Sequence, residues 1–280
     1  MTLYEAPAKL NLSLLVSPPR SDGFHPLASL VQTVEWCDLL KVEWGEGRDE
    51  LETEIDDNLV TRALVLAREF GDVPALRMSL EKWIPVAAGL GGGSSDAAAA
   101  LVAASDFGDV PGAVLSDVAS RVGSDVALFL VGGTMLMSGR GEQITAVEPA
   151  EDFAVAIVVP DFGLATADVY RTWDALEGPE GDAVPDGLLP PSLRGRMPMR
   201  NDLLPAALAV DPLLGDFMAD VASVWATTVC LTGSGSACFG YFATVDEASD
   251  AVGAVAHLTG AGRGVSPRGS GVARVRSDPH

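Results

Sequence analysis

Residues 85 to 95 of this 280-residue chain read Pro85-Val86-Ala87-Ala88-Gly89-Leu90-Gly91-Gly92-Gly93-Ser94-Ser95, a composition able to hold a phosphate. Glycines let the backbone approach a ligand closely and take conformations closed to residues with a side chain. A helix is expected to follow through the alanine-rich run 97–104, with Ser94 and Ser95 as its caps. The start of such a helix offers unpaired N–H groups and the positive end of a dipole to an anion. Hydroxyls at Ser94 and Ser95 can bond phosphate oxygens or reach Mg²⁺. The alternative is a tight strand-to-helix turn with capping serines. Near the N-terminus, Lys9, Asn11 and Ser13 alternate with Leu10, Leu12 and Leu14, which is the period of a half-buried strand and puts Lys9 and Asn11 on one face. Only Lys9, Lys41 and Lys82 are lysines, so a lysine inside a motif is less readily surface filler here. A second small-residue loop, Thr232-Gly233-Ser234-Gly235-Ser236-Ala237, reads alone as a hairpin turn. Taken together, the two loops suggest two domains meeting over one nucleotide.

Other chemistries are excluded by what the sequence lacks. There is no G-x-x-x-x-G-K-[ST], and no G-x-G-x-x-G with an acidic residue about twenty positions on. Asp161-Phe162-Gly163 spells the DFG of protein kinases, but neither an HRD loop nor a VAIK strand accompanies it, so it reads as coincidence. The histidines are His25, His257 and His280, and no G-x-S-x-G elbow is present, which disfavours a serine hydrolase. Cys37, Cys230 and Cys238 are too scattered for a disulfide framework or a zinc site. A reducing, cytoplasmic setting is expected.

Elements must position these groups. Strands are expected over 9–14, 31–36, 39–44 and 76–84, and a helix over 58–70 capped by Asp57 or Asn58. Short helical or buried segments follow at 115–122 and 125–130, then a strand at 134–137. The stretch 147–152 is the best boundary, dividing the chain into 1–150 and 151–280. Beyond it come a strand (154–159), a helix (167–176), a Gly-, Pro- and Asp-rich loop (178–191) expected to be mobile, helices over 202–210 and 212–224, strands at 227–231 and 238–243, a helix over 247–258 and a last strand at 272–275. Mixed strands and helices in both halves predict an α+β or α/β two-layer architecture.

Composition agrees with a folded chain: 48% apolar and 20% charged residues, with a mean hydropathy of +0.26. Lys and Arg number 18 against 39 Asp and Glu, a net charge of −21, which repels extended polyanions and argues against nucleic-acid binding. The N-terminus lacks the pattern of a signal peptide, and the apolar runs fall far short of the ~20 residues of a membrane span, so no membrane partner is expected. A monomer or homodimer is expected. The late arginines Arg263, Arg268, Arg274 and Arg276 sit among Gly, Ser and Pro and read as a solvated terminus.

The sequence resembles the GHMP kinase superfamily at three places: Pro-Ala-Lys-x-Asn (Pro7 to Asn11), Pro-x-x-x-Gly-Leu-Gly-Gly-Gly-Ser-Ser (Pro85 to Ser95) and Gly-Ser-Gly-Ser-Ala (Gly233 to Ala237). Within it, Asp22-Gly23-Phe24-His25, Val122-Gly123-Ser124-Asp125-Val126 and Gly139-Arg140-Gly141-Glu142 look most like the kinases of 4-diphosphocytidyl-2-C-methyl-D-erythritol. The resemblance implies a two-domain fold, its first domain ribosomal-protein-S5-domain-2-like and its second ferredoxin-like. It also implies transfer of the γ-phosphoryl of ATP, with Mg²⁺, to the 2-hydroxyl of the erythritol portion.

By the same resemblance Lys9 and Asp125 form the catalytic pair, residues Pro85 to Ser95 bind ATP, and Gly233, Ser234 and Gly235 form a supporting loop. Phe24, His25 and Tyr170 would surround the cytidine and Asn11 would bond the substrate. From the residues alone, Lys9 could instead be a solvated strand residue, Asp125 a helix N-cap, His25 a solvated loop residue and Tyr170 a helix core residue. Phe24 stands where the family commonly has Tyr, Ala127 where it often has Pro, and Ala87 and Ala88 where many relatives have Gly. Lys82 could approach the nucleotide or be a surface residue at a strand end. Other acceptors (mevalonate, homoserine, a sugar) and a catalytically inactive nucleotide-binding module are the alternatives.

Overall fold

The computed structural model describes residues 1–21, 23–54 and 58–275. Asp22, Asp57, Arg276 and His280, each singled out in the sequence, lie outside the described residues. The polar–apolar alternation at 9–14 belongs to a longer strand, β1 (Thr2–Val16), paired antiparallel with β2 (Leu27–Trp44). The sequence suggests two strands at 31–36 and 39–44. They are one, because the register slips opposite Pro7 and Ala8 and Glu35 and Trp36 are taken up as a bulge. Proline has no N–H to give a ladder and so belongs at such an irregularity.

The chain continues through β3 (Glu50–Glu52), α1 (Leu59–Ala67), β4 (Leu76–Glu81), α2 (Gly92–Phe107), α3 (Leu115–Val122), α4 (Val126–Val131), β5 (Thr134–Gly139) and β6 (Gln143–Ala146). Asn58 caps α1, its Oδ1 accepting from Val60 N at 2.9 Å. The second half supplies β7 (Ala154–Val159), α5 (Thr166–Ala175), α6 (Leu204–Val210), α7 (Leu213–Trp225), β8 (Cys230–Leu231), β9 (Cys238–Phe242), α8 (Val245–Ala254), β10 (Ala261–Val265) and β11 (Ala273–Val275). The unforeseen strands β3, β6 and β10 are short and polar or glycine-bearing, so alternation is too brief to read in them.

One sheet runs β11-β1-β2-β4-β3, with β5 pairing β2 and β6 beyond it; the other runs β10-β7-β9-β8 and is antiparallel throughout. The second sheet and its helices follow the βαββαβ order of a ferredoxin-like unit. Strand β7 shows how the layers stack: Val155, Ile157 and Val159 face the first sheet alongside Leu10 and Leu12, whereas Ala154, Ala156 and Val158 face α5, α7 and α8. A third core lies between the first sheet and α1 to α4.

Two tail and loop expectations are corrected. Arg268 is buried, with Nη1 and Nη2 each 2.8 Å from Glu35 and Glu5, and β11 pairs with β1, so the last arginines are not all on a solvated terminus. Residues 178–191 do not hang free. Leu189 is buried, Trp173 Nε1 donates to Pro179 O at 3.0 Å and Gly181 N to Asp202 Oδ1 at 3.1 Å.

Candidate active site

The sequence expects a half-buried β1, but both of its faces are covered: Leu10 and Leu12 by the second sheet, Lys9, Asn11 and Ser13 by the loops that join the two halves. Lys9 is 5% exposed. Its Nζ donates to Asn11 Oδ1 and Gly89 O, both at 2.6 Å. An ammonium has three donors, so one remains. Burial lowers the Lys9 pKa, and the charge of Asp125 opposes the fall. Asn11 is itself fixed, with Nδ2 donating to Ser29 Oγ at 2.7 Å and its backbone N–H to Thr232 Oγ1 at 2.8 Å.

The glycine loop is shaped by two close approaches. Gly91 caps α2 at φ 75°, where a Cβ would lie 2.7 Å from the Phe129 ring and 3.1 Å from the Lys9 side chain. Gly89, at φ 81°, lies so close to the other half that a Cβ would stand 2.8 Å from Thr232 O and 3.1 Å from Gly235 O. Ala237 N donates to Ala88 O at 3.1 Å, which ties the two loops together. Ala87 adopts φ 58°, so the lost glycine costs on the order of 1–2 kcal/mol there.

Two cavities meet at this loop. One, of about 310 Å³, is lined by Pro85 through Ser94 together with Asn58, Leu59, Lys82 and Asp96. The other, of about 390 Å³, is bordered by Lys9, Asn11, Asp125, Arg140, Tyr170, Gly233 and Ser234 among others. Gly89, Gly91 and Ser94 border both. Helix α2 begins at Gly92, so Ser94 and Ser95 are inside its first turns rather than capping it. Successive helical residues turn by about 100°. Ser94 therefore faces the cavities while Ser95 is wholly buried, its Oγ without a hydrogen-bond partner and bordering neither cavity. The hydroxyl suited to phosphate or Mg²⁺ is Ser94, not Ser95.

Asp125 is the N-cap residue of α4, yet its side chain makes no capping hydrogen bond. The carboxylate borders the larger cavity instead. Ala127, despite the missing proline, lies in an uninterrupted α4. On the far side, Ser234 Oγ is 2.9 Å from Thr166 Oγ1, and Asn201 Nδ2 holds Leu231 O at 2.9 Å and Gly233 O at 2.8 Å. Gly235 borders neither of these two cavities; it packs beneath Gly89.

Aromatic groups gather beside the larger cavity. The His25 ring is 5.3 Å from that of Tyr170 and 5.4 Å from that of Trp173, and His25 Nε2 is 2.8 Å from Asp174 Oδ1. Tyr170 borders the cavity and its hydroxyl pKa is pushed up to about 12, by burial and then by Asp125. Neither Phe24 nor His25 borders it directly; Phe24 lies under the Arg140 guanidinium, 4.1 Å from ring centroid to Cζ. Lys82 borders the smaller cavity, and its ammonium is held there between the buried carboxylates of Asp38 and Asp96, the latter at 2.6 Å. The sequence gives no role to the Asn201, Thr166 and Asp174 side chains, nor to the Thr232 hydroxyl within its small-residue loop, because their partners are far away in the chain.

The GHMP kinases N terminal domain family matches residues 58–133. A 4-diphosphocytidyl-2-C-methyl-D-erythritol kinase of Nocardioides sp. is 36% identical, covering 93% of this chain and 94% of that protein. One of Mycolicibacterium gilvum is 36% identical over 83% of this chain and 79% of its own length. This chain belongs to the 4-diphosphocytidyl-2-C-methyl-D-erythritol kinase family. A crystal structure of a 4-(cytidine 5'-diphospho)-2C-methyl-D-erythritol kinase superposes with a TM-score of 0.81 at 32% identity, covering 96% of this kinase and all of that chain. A homoserine kinase of Cytophaga hutchinsonii, at 17% identity and a TM-score of 0.70, shares the fold. The protein is thus a small-molecule kinase of the GHMP fold, and among its described residues no helix is long and apolar enough to cross a membrane.

Proposed function

We propose that this kinase moves the γ-phosphoryl group of ATP to the 2-hydroxyl of 4-diphosphocytidyl-2-C-methyl-D-erythritol, giving the 2-phosphate and ADP in non-mevalonate isoprenoid-precursor synthesis. The observation that carries the reading is the junction of two cavities at Gly89, Gly91 and Ser94, with Lys9 and Asp125 on the wall of the larger. Phosphoryl transfer needs donor and acceptor side by side and in line, and little covalent chemistry from the protein.

In this reading the smaller cavity takes ATP, its phosphates against the N–H groups of Gly92, Gly93 and Ser94 at the start of α2. Asp125 accepts the proton of the acceptor hydroxyl as its oxygen bonds to the γ-phosphorus and the bond to ADP breaks. The remaining Lys9 donor orients that oxygen and steadies the charge that develops. Asn11 keeps the Lys9 ammonium in place and His25 and Tyr170 flank the cytosine. Mg²⁺ fits as a companion of the nucleotide: the Ser94 hydroxyl is a hard oxygen donor at the junction, and no group of three or more His, Cys, Asp or Glu among the described residues converges to cage a metal. Bound with ATP, the ion would neutralise phosphate charge.

An ADP-release assay with three acceptors tests the assignment. The cytidine diphosphate substrate should be turned over, and homoserine and mevalonate ignored. Turnover of only the latter two would overturn it.

A further inference from the structure

We infer from the geometry that Asp174 is a positioning residue for the base of the acceptor: it holds the His25 imidazole against Tyr170 with Nε2 as the hydrogen-bond donor, leaving Nδ1 as the nitrogen that meets a ligand. This rests on the functional reading above, in which His25 and Tyr170 flank the cytosine.

His25 belongs to the connection between β1 and β2, whereas the helix that receives it, α5, lies in the other half of the chain. Tyr170, Trp173 and Asp174 stand at i, i+3 and i+4, so α5 presents them on one face. All three meet the imidazole: Tyr170 at 5.3 Å and Trp173 at 5.4 Å between ring centroids, and Asp174 Oδ1 at 2.8 Å from Nε2. Trp173 is itself fixed, being buried and donating from Nε1 to Pro179 O at 3.0 Å. Two ring contacts settle where the imidazole lies but not which nitrogen carries hydrogen. Asp174 decides that. A carboxylate offers only acceptors, so Nε2 carries the hydrogen and the neutral ring presents a lone pair at Nδ1. Nδ1 has no hydrogen-bond partner among the described residues. The His25 side chain is 11% exposed, so it is held by these contacts rather than swinging in solvent. Tyr170 borders the larger cavity, and a base that packs against it finds the neighbouring imidazole already oriented, which removes an ordering cost from binding.

The first measurement needs no substrate. In ¹H–¹⁵N spectra of the neutral imidazoles, with His25→Gln identifying the signal among His25, His257 and His280, wild-type His25 should show an Nε2–H proton protected from exchange, and Asp174→Ala should lose that protection. The second is a cytidine titration with the smaller cavity filled by a non-hydrolysable ATP analogue. Asp174→Ala should weaken cytidine about five-fold, the cost of ordering one side chain on binding, and raise the KM for the cytidine diphosphate substrate by about the same factor, with kcat and the KM for ATP unchanged. Asp174→Asn keeps an oxygen acceptor and should fall between. An Nδ1–H tautomer in the wild type, or a protected Nε2–H that survives Asp174→Ala, would overturn the inference. So would a fall in kcat and a rise in the KM for ATP alongside the loss of cytidine, the pattern of a residue that only supports the fold. If the wild type turns over the acceptor and Asp174→Ala keeps its cytidine affinity, this inference alone falls. A wild type that neither binds cytidine nor turns over the acceptor removes the functional reading and the inference with it.

Discussion

Two carboxylates and one ammonium, Asp38, Asp96 and Lys82, are enclosed beside the smaller cavity, and the charge does not balance. Asp38 Oδ1 accepts from the N–H groups of Trp83 and Ile84 at 2.6 and 2.8 Å, whereas Asp96 Oδ1 is buried without a partner. Burial accordingly raises the Asp96 pKa to about 7, with Lys82 pulling it down and Asp38 pushing it up. The folded protein then holds a proton that the unfolded chain releases near pH 4, so this group makes stability fall as pH rises between about 4 and about 7. Asp96→Asn lacks that fall. Its melting temperature relative to the wild type should climb from about pH 5 to about pH 8 in thermal denaturation; a constant difference would contradict the account. Little of this was legible in the sequence. The glycine loop stood out by residue type, whereas Lys9 and Asp125 were singled out through the family resemblance, their residue types alone leaving a solvated strand residue and a helix N-cap open. Asp38 and Lys82 are 44 residues apart, and nothing local signals that they meet.

At the scale of elements, the glycine-rich segment was recognised but the start of its helix was misplaced. Glycine is a poor helix former, so Ser94 and Ser95 looked like the first capping residues. Gly91 in the left-handed region instead lets α2 begin at Gly92, and Ser95 N already bonds Gly91 O at 3.0 Å. That shift separates two serines that the sequence treats alike. Ser94→Ala should raise the KM for ATP about ten-fold or more, the loss of about one hydrogen bond to a charged group. Ser95→Ala should leave that KM unchanged and the protein equally or more stable, since it removes a buried hydroxyl with no partner. Steady-state kinetics and thermal melts on the pair check both, and equal effects would place the helix start wrongly. Helix α7 was readable because its apolar spacing is sustained, and β7 because all six of its residues are apolar; β10 was not, since Ala261-Gly262-Arg263-Gly264-Val265 has neither alternation nor strand-forming residues at its centre.

The whole molecule carries a net charge of −21, yet its site is suited to phosphates. The resolution is local: N–H groups at the start of α2 and the Lys9 ammonium are suited to act over a few ångströms, while the acidic surface opposes extended polyanions. Both halves of the chain are needed to make this place. Lys9 comes from β1, Asp125 from the start of α4, and Gly233 and Ser234 from the loop between β8 and β9. Fold class was legible in the alternation of strands and helices, but the seam was not, because it is made by backbone bonds such as Ala237 N to Ala88 O between segments remote in sequence. The claim on which the account turns is that Asp125 takes the proton of the acceptor. The measurement is kcat and ATP affinity for Asp125→Asn, a change that keeps shape and removes the base. The account predicts a fall in kcat of about 10²–10⁴-fold with ATP affinity nearly intact. A variant that turns over at the wild-type rate would contradict it.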